Sequence, residues 1–239
     1  MEITTKAASP PTRRRLRRTI LLGIVTYLVL AYLVAPALWR HHERHPGLDV
    51  APLVTRTAAD IPGDPINVAL VGTRDRVVAA LGAVGWHPAA ALGLRSDLGI
   101  AESVLLDRPD PTAPVSNLYL FGRREDLAFE AQVGQSARQR HHVRFWRSDQ
   151  VDAAGRLLWL GAATFDVGVG VSHTTGQITH HIAPDLDAER DGLVAALAAA
   201  GQVVDTYAVP GVGATENGRN GGGDRYATDG RVMVGVLGD

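Results

Sequence analysis

Histidine carries most of the potential chemistry in this chain. Six of its nine histidines stand in adjacent pairs: His41–His42, His141–His142 in RQRHHVRFWR, and His180–His181 in QITHHIAPD. The last two pairs fall in runs that read as strands, where neighbouring side chains point to opposite faces. His141 then shares a face with Val143 and Phe145, and His180 with Ile178 and Ile182, which places both on an apolar side. His142 shares the other face with Arg144 and Trp146, and His181 with Thr179. If the two strands are neighbours, one imidazole from each can meet a carboxylate from a third segment. Asp166, Asp185, Asp187 and Glu189 are the nearest in sequence. Imidazole and carboxylate together suit Zn²⁺ or Fe²⁺, and a metal there could polarise a bound water. The candidate ligands of a divalent metal are therefore His141, His142, Asp166, His180 and His181. No HExxH spacing fixes such a site, and two adjacent strand histidines cannot both ligate one ion without distortion. The plain alternative is a set of core and surface histidines bonded to backbone or to aspartate.

A second cluster overlaps the first. Arg138, Arg140, Arg144 and Arg147 surround the first body His pair without an intervening acid. Guanidinium groups pair bidentately with phosphate or carboxylate, and aromatic rings add stacking. This makes Arg138, Arg140, Arg144 and Trp146 candidates for ligand binding. The competing reading is a solvated face whose arginines pair with the protein's own acids. Ser172 before His173 lies in VGVSHTTGQ, outside any Gly-x-Ser-x-Gly elbow. The chain has no cysteine, so it uses neither disulfides nor thiolate chemistry.

These residues need a framework, and the chain supplies one of α+β type. INVALVG (66–72) reads as a buried strand and TRDRVVAALGAVG (73–85) as a helix capped by Thr73 and stopped at Gly85. Strand-like runs follow at 103–106, 118–122, 141–147, 157–166 and 177–182. A second helix is expected over 187–200, with acids at its positive end, then strands at 203–209 and 231–237. Between those last strands, GVGATENGRNGGGD reads as a mobile loop, and no Gly-Lys-Ser/Thr makes it a phosphate loop. The expectation is a mixed sheet of six to eight strands with two or three helices.

Ahead of this body, residues 19–39 (TILLGIVTYLVLAYLVAPALW) contain no charge. A helix of that length rises about 31 Å, enough for a hydrocarbon core of roughly 30 Å. Residues 1–18 carry a local charge of +5, leaving −6 for the rest of a chain whose total is −1. Basic residues before a span stay cytoplasmic, which sends the following body across the membrane. An acidic body also argues against nucleic-acid binding. The expected organisation is a basic cytoplasmic segment (1–18), a transmembrane helix (19–39), a proline-bearing linker (40–63), a folded domain (64–201), and terminal strands with the glycine-rich loop (202–239). Regular structure is expected to begin at Ile66. The lipid bilayer is the expected partner, with a multi-span membrane protein as a further one through the span.

The stretches VSNLYLFGRREDLAFEAQVG (115–134), RHHVRFW (140–146), LWLGAATFDVGVG (158–170) and TGQITHHIAPDLDAERD (175–191) closely resemble the LssY-like C-terminal domain. PINVALVGTRDRVVAALGAVGW and TAPV (112–115) are similar as well, so the likeness covers about 64–201. The resemblance implies a domain of bacterial membrane proteins, often found beside a lipid-phosphatase-like or other multi-span unit, with no defined activity of its own. This chain has one expected span and no phosphatase core. Two functions remain in view: an extracytoplasmic binding or interaction domain on a single-span anchor, and a metal- or His-dependent hydrolase of anionic envelope substrates.

Overall fold

The computed structural model describes residues 13–35, 38, 45–89, 117–134, 139–176, 178–210 and 216–238. They fall into two compact units, 1–44 and 45–239. In the first, a helix over Arg13–Val29 runs on into a π-helical turn at Leu30–Val34. Its residues Arg15–Val34 are long and apolar enough to cross a membrane. The arginines expected to precede the span thus continue the same helix from Arg13 onward.

The second unit contains strands β1 (Val54–Arg56), β2 (Pro62–Pro65), β3 (Val68–Val71), β4 (His87–Pro88), β5 (Tyr119–Leu120), β6 (Arg123–Arg124) and β7 (Leu127–Gln132). The long strands β8 (Arg140–Val151) and β9 (Leu157–Val171) follow, then β10 (Ile178–Ile182), β11 (Val203–Pro210), β12 (Asn217–Arg219), β13 (Arg225–Ala227) and β14 (Arg231–Leu237). The main sheet has eight strands in the order β11-β14-β3-β9-β8-β7-β4, with β10 also on β9. Every pairing in it is antiparallel except β14 with β3. The fold is α+β, with a mixed sheet as expected.

The central strands of the sheet are buried on both faces, which explains why VALV and LLWLGAATF show no clean apolar–polar alternation. Two helices, Arg74–Ala83 and Leu186–Ala199, cover one face, packing Val77, Leu81, Leu193 and Leu197 against Leu70, Phe129 and Phe145. Thr73 Oγ1 caps the first by accepting from Arg76 N (3.3 Å), and Asp185 Oδ1 caps the second by accepting from Ala188 N (3.0 Å). On the opposite face, Leu48, Ile66, Leu118 and Leu120 pack against Trp146, Leu160 and Val234. Each large apolar side chain so buried contributes roughly 1.5–3 kcal/mol.

Two expectations change here. Residues 46–63, expected as part of the linker, contain the Pro46–Leu48 turn, strand β1 and the first half of β2, so regular structure precedes Ile66. Their prolines are compatible with order because Pro46 opens a helical turn and Pro62 and Pro65 lie on the edge strand of the small sheet β2-β1-β5-β6. Within the glycine-rich stretch, β12 pairs with β13 and the turn between them buries Asn220. The run expected as a strand at 103–106 lies outside the described residues.

β9 changes partner along its length. Its first part pairs with β3 up to Gly161, and its last part pairs with β10 from Asp166. The gap is bridged by the buried Asn67, whose Oδ1 accepts from Ala163 N and whose Nδ2 donates to Ala163 O, both at 2.9 Å. Asn67→Ala leaves an N–H and a carbonyl of Ala163 buried without those partners. The expected cost is about 2–4 kcal/mol, read as a lower urea midpoint at unchanged slope.

Candidate functional site

The helix-free face of the main sheet carries polar side chains beside the apolar ones. Even-numbered residues of β8 project there opposite even-numbered residues of β9, with Arg140 facing Asp166 and His142 facing Thr164; Glu130 of β7 pairs with His142. Six such groups, Glu130, Arg140, His142, Arg144, Thr164 and Asp166, are buried.

β8 and β10 are not neighbours, since they flank β9 on opposite edges, yet their histidines still meet over it. His142 Nδ1 lies 3.1 Å from Asp166 Oδ2, and His180 Nδ1 lies 3.9 Å from the same oxygen. The centre of this group is a guanidinium. Arg140 reaches Glu130 Oε2 at 2.8 Å, Asp166 Oδ2 at 3.4 Å and His180 Nε2 at 2.9 Å. Its charge sits where a metal would have to bind, so Arg140 and not an ion holds His180 and Asp166 together. Deeper along the face, Arg144 Nη1 lies 3.4 Å from Asp64 Oδ2, and Asn220 Nδ2 donates to Asp64 Oδ1 at 3.3 Å.

These groups open into a cavity of about 460 Å³, a size suited to a small ligand. Asp64, His142, Arg144, Asp166 and His180 line its floor. Hydroxyl and amide groups of Thr57, Asn117, Ser172, Thr179 and Asn220 ring them, with Gly221 and Gly222. Two buried atoms at this lining, Arg144 Nε and Asn117 Oδ1, have no hydrogen-bond partner among the described residues, while His142 Nε2 faces Glu130 Oε2 at 3.6 Å.

The remaining sequence candidates lie elsewhere. His141 is on the helix side, with its ring 4.9 Å from that of Phe165 and its Nδ1 2.8 Å from Glu189 Oε2. That bond pulls its pKa upward. His181 pairs with Asp224 instead of Asp166, with Nδ1 2.7 Å from Oδ1. The metal set His141, His142, Asp166, His180 and His181 is thus divided among three places. Trp146, expected to stack on a ligand, is fully buried in the core. Arg140 and Arg144 are buried and paired, not a solvated face, whereas Arg147 is exposed. Arg138 lies outside the described residues. Asp185 and Asp187 serve the helix start, by capping and by holding Arg190 at 2.9 Å. Sequence reasoning missed Glu130, Asp64 and Asn220. Only Glu130 left a signal, as a lone acid inside the apolar run LAFEA.

An α+β domain with a doubly covered mixed sheet and a polar cavity on its helix-free side is the class of protein defined here. Residues 48–232 match the family model described as LssY C-terminus, and the chain belongs to that family. The match extends beyond the 64–201 resemblance to include β1, β2, β12 and β13. Neither a curated protein nor a solved structure matches the chain.

Burial governs protonation in the cavity. It pushes His142 and His180 down to about 3, so both imidazoles are neutral at pH 7. It also raises Asp64 and Asp166, against the pull of Arg144 on the first and of His180 and Arg140 on the second. The two effects oppose each other in acid. Below the unfolded pKa of the histidines the unfolded chain binds protons that the native imidazoles refuse, so their contribution is lost as pH falls toward 3. The raised carboxyls bind protons first in the native state, which favours folding as pH falls. His180→Gln removes one histidine contribution and, with it, the pull of His180 on Asp166. Between pH ~6.5 and ~4.5 its stability should fall less steeply than that of the unsubstituted protein, by up to about 1.4 kcal/mol per pH unit in denaturation curves.

Proposed function

We propose that this is a single-span membrane protein that holds its LssY C-terminus domain outside the cytoplasm and binds there a small, neutral, polyhydroxylated ligand, such as a sugar unit of the cell envelope. Orientation is argued from the basic residues that open the apolar helix, since Lys and Arg flanking a span remain in the cytoplasm. Ligand binding is argued above all from two buried atoms at the cavity lining, Arg144 Nε and Asn117 Oδ1, that have no partner among the described residues. An unmet buried polar group costs about 1–3 kcal/mol, and a ligand offering both donors and acceptors recovers it. Neutrality follows from charge. The guanidiniums of Arg140 and Arg144 already face the carboxylates of Glu130, Asp166 and Asp64, leaving no surplus cation at this cluster for a phosphate.

The hydrolase reading draws on one observation: Asp166, with its raised pKa, lies against two neutral imidazoles that could exchange a proton with it. The same charge balance speaks against anionic substrates. The apolar helix would additionally serve as the contact with a multi-span neighbour.

The full chain in detergent should be stabilised in thermal scans by neutral mono- or oligosaccharides and not by inorganic phosphate. Arg144→Gln should weaken that binding about tenfold, the loss of one charged hydrogen bond. Steady turnover of an added glycan or ester, abolished by Asp166→Asn, would favour the hydrolase. A reporter fused to the C-terminus should be active only outside the cytoplasm, and activity inside it would overturn the orientation.

A further inference from the structure

We infer that His173, His181 and Asp224 form a Zn²⁺ site at the rim of the cavity. It is separate from the Asp166 cluster and independent of the proposed sugar ligand. One donor atom from each of the three residues lies within 4.8 Å of the others. His181 Nδ1 is 2.7 Å from Asp224 Oδ1, and His173 Nε2 is 3.9 Å from that same oxygen. The two rings lie 5.3 Å apart. Around a tetrahedral Zn²⁺ with bonds of about 2.0–2.1 Å, ligands sit roughly 3.3 Å from one another. Binding an ion draws the 66% exposed His173 ring inward from 3.9 Å and opens the 2.7 Å His181–Asp224 contact by roughly 0.6 Å.

The surroundings orient the donors. Asp224 Oδ2 accepts from Ile182 N at 3.1 Å, which leaves Oδ1 for the imidazoles. Asp224 N donates to Asn220 Oδ1 at 2.9 Å, holding the carboxylate-bearing turn in place. A bonded second oxygen is the kind of outer support that metal-binding carboxylates use. Two glycines make the close approach possible. A Cβ at Gly170 would lie 2.6 Å from His181 Nε2, so that nitrogen is pressed against β9 and Nδ1 is the one turned to Asp224. A Cβ at Gly223, whose φ is +89°, would lie 2.7 Å from His173 Cβ. His173 N also donates to Gly222 O at 2.8 Å, docking the two turns before any side chain is considered.

Two imidazoles and one carboxylate suit a borderline divalent ion and leave at least one coordination position for water or a ligand. Unlike the Asp166 cluster, where Arg140 supplies the positive charge, Asp224 faces two imidazoles. Ser172, Thr175, Asn220 and Gly222 belong both to these two turns and to the cavity lining. A bound ion would therefore fasten the rim of the cavity.

The test uses the full chain in detergent, purified without a polyhistidine tag and stripped with chelator. Calorimetric titration with ZnCl₂ should give one equivalent bound, and Co²⁺ should give the intense visible absorption of a tetrahedral site. His173→Ala and His181→Ala should each weaken Zn²⁺ binding at least about tenfold. His141→Ala, on the opposite face, should leave it unchanged. The decisive variant is His173→Ala, since its exposed side chain contributes little to folding. Absence of a stoichiometric ion, full affinity in His173→Ala, or equal loss in His141→Ala would each overturn the assignment.

Discussion

Strands covered on both faces place a hard constraint on any charge they carry. Arg140, buried to 2% exposure where the β8–β9 pairing begins, satisfies that constraint by touching Glu130, Asp166 and His180 together. An ion taken from water into such a place costs several kcal/mol unless it is well paired, and removing one partner of a buried pair leaves the other stranded. The cluster is therefore interdependent. Asp166 lies within reach of a guanidinium and two imidazoles, while Glu130 holds the far side of the guanidinium. Because burial drives both imidazoles to the neutral state, the balance at neutral pH rests on arginines and carboxylates alone.

The cavity exists because peripheral elements close over this charged row without filling it. Asp64 arrives from β2 of the small sheet, Asn220 from the turn between β12 and β13, and the two meet at 3.3 Å. Arg144 reaches Asp64 from the main sheet, so three separate pieces of structure converge on one carboxylate. None of these contacts is apolar. The packing energy of the domain resides in the two clusters on either side of the sheet, and the cavity is lined by what that packing leaves over.

Much of the framework was legible in the chain. The first helix of the domain announced itself by the Thr73 cap and apolar spacing, the second by the acids at its positive end, and the long strands by runs of β-branched and aromatic residues. Strand alternation also placed His142 beside Arg144 and Trp146, and Asp166 was among the carboxylates foreseen for a strand histidine. The rest depended on long-range placement. Asp64 sits in PGDP and Asn220 in GRNGGGD, segments whose prolines and glycines resemble solvated connections until the chain folds back on itself. Trp146 looked available to a ligand because alternation cannot tell that a sheet's second face is covered as well. That Arg140 and Arg144 are buried was illegible for the same reason, since their partners come from β7, β9, β10 and β2.

The change of partner along β9 has a dynamic consequence. Residues 158–161 lie in the core, locked between β3 and β8, and 162–164 are buried beside β8, whereas 167–171 are partly or fully exposed and, among the described residues, 168–171 pair with β10 alone. Amides in the first part exchange with solvent only when the whole domain opens, while those in the second exchange through local fraying. A single strand thus joins a rigid anvil to a yielding lip, with Asn67 as the rivet between them. The entrance to the cavity can breathe while the charged row beneath it stays still.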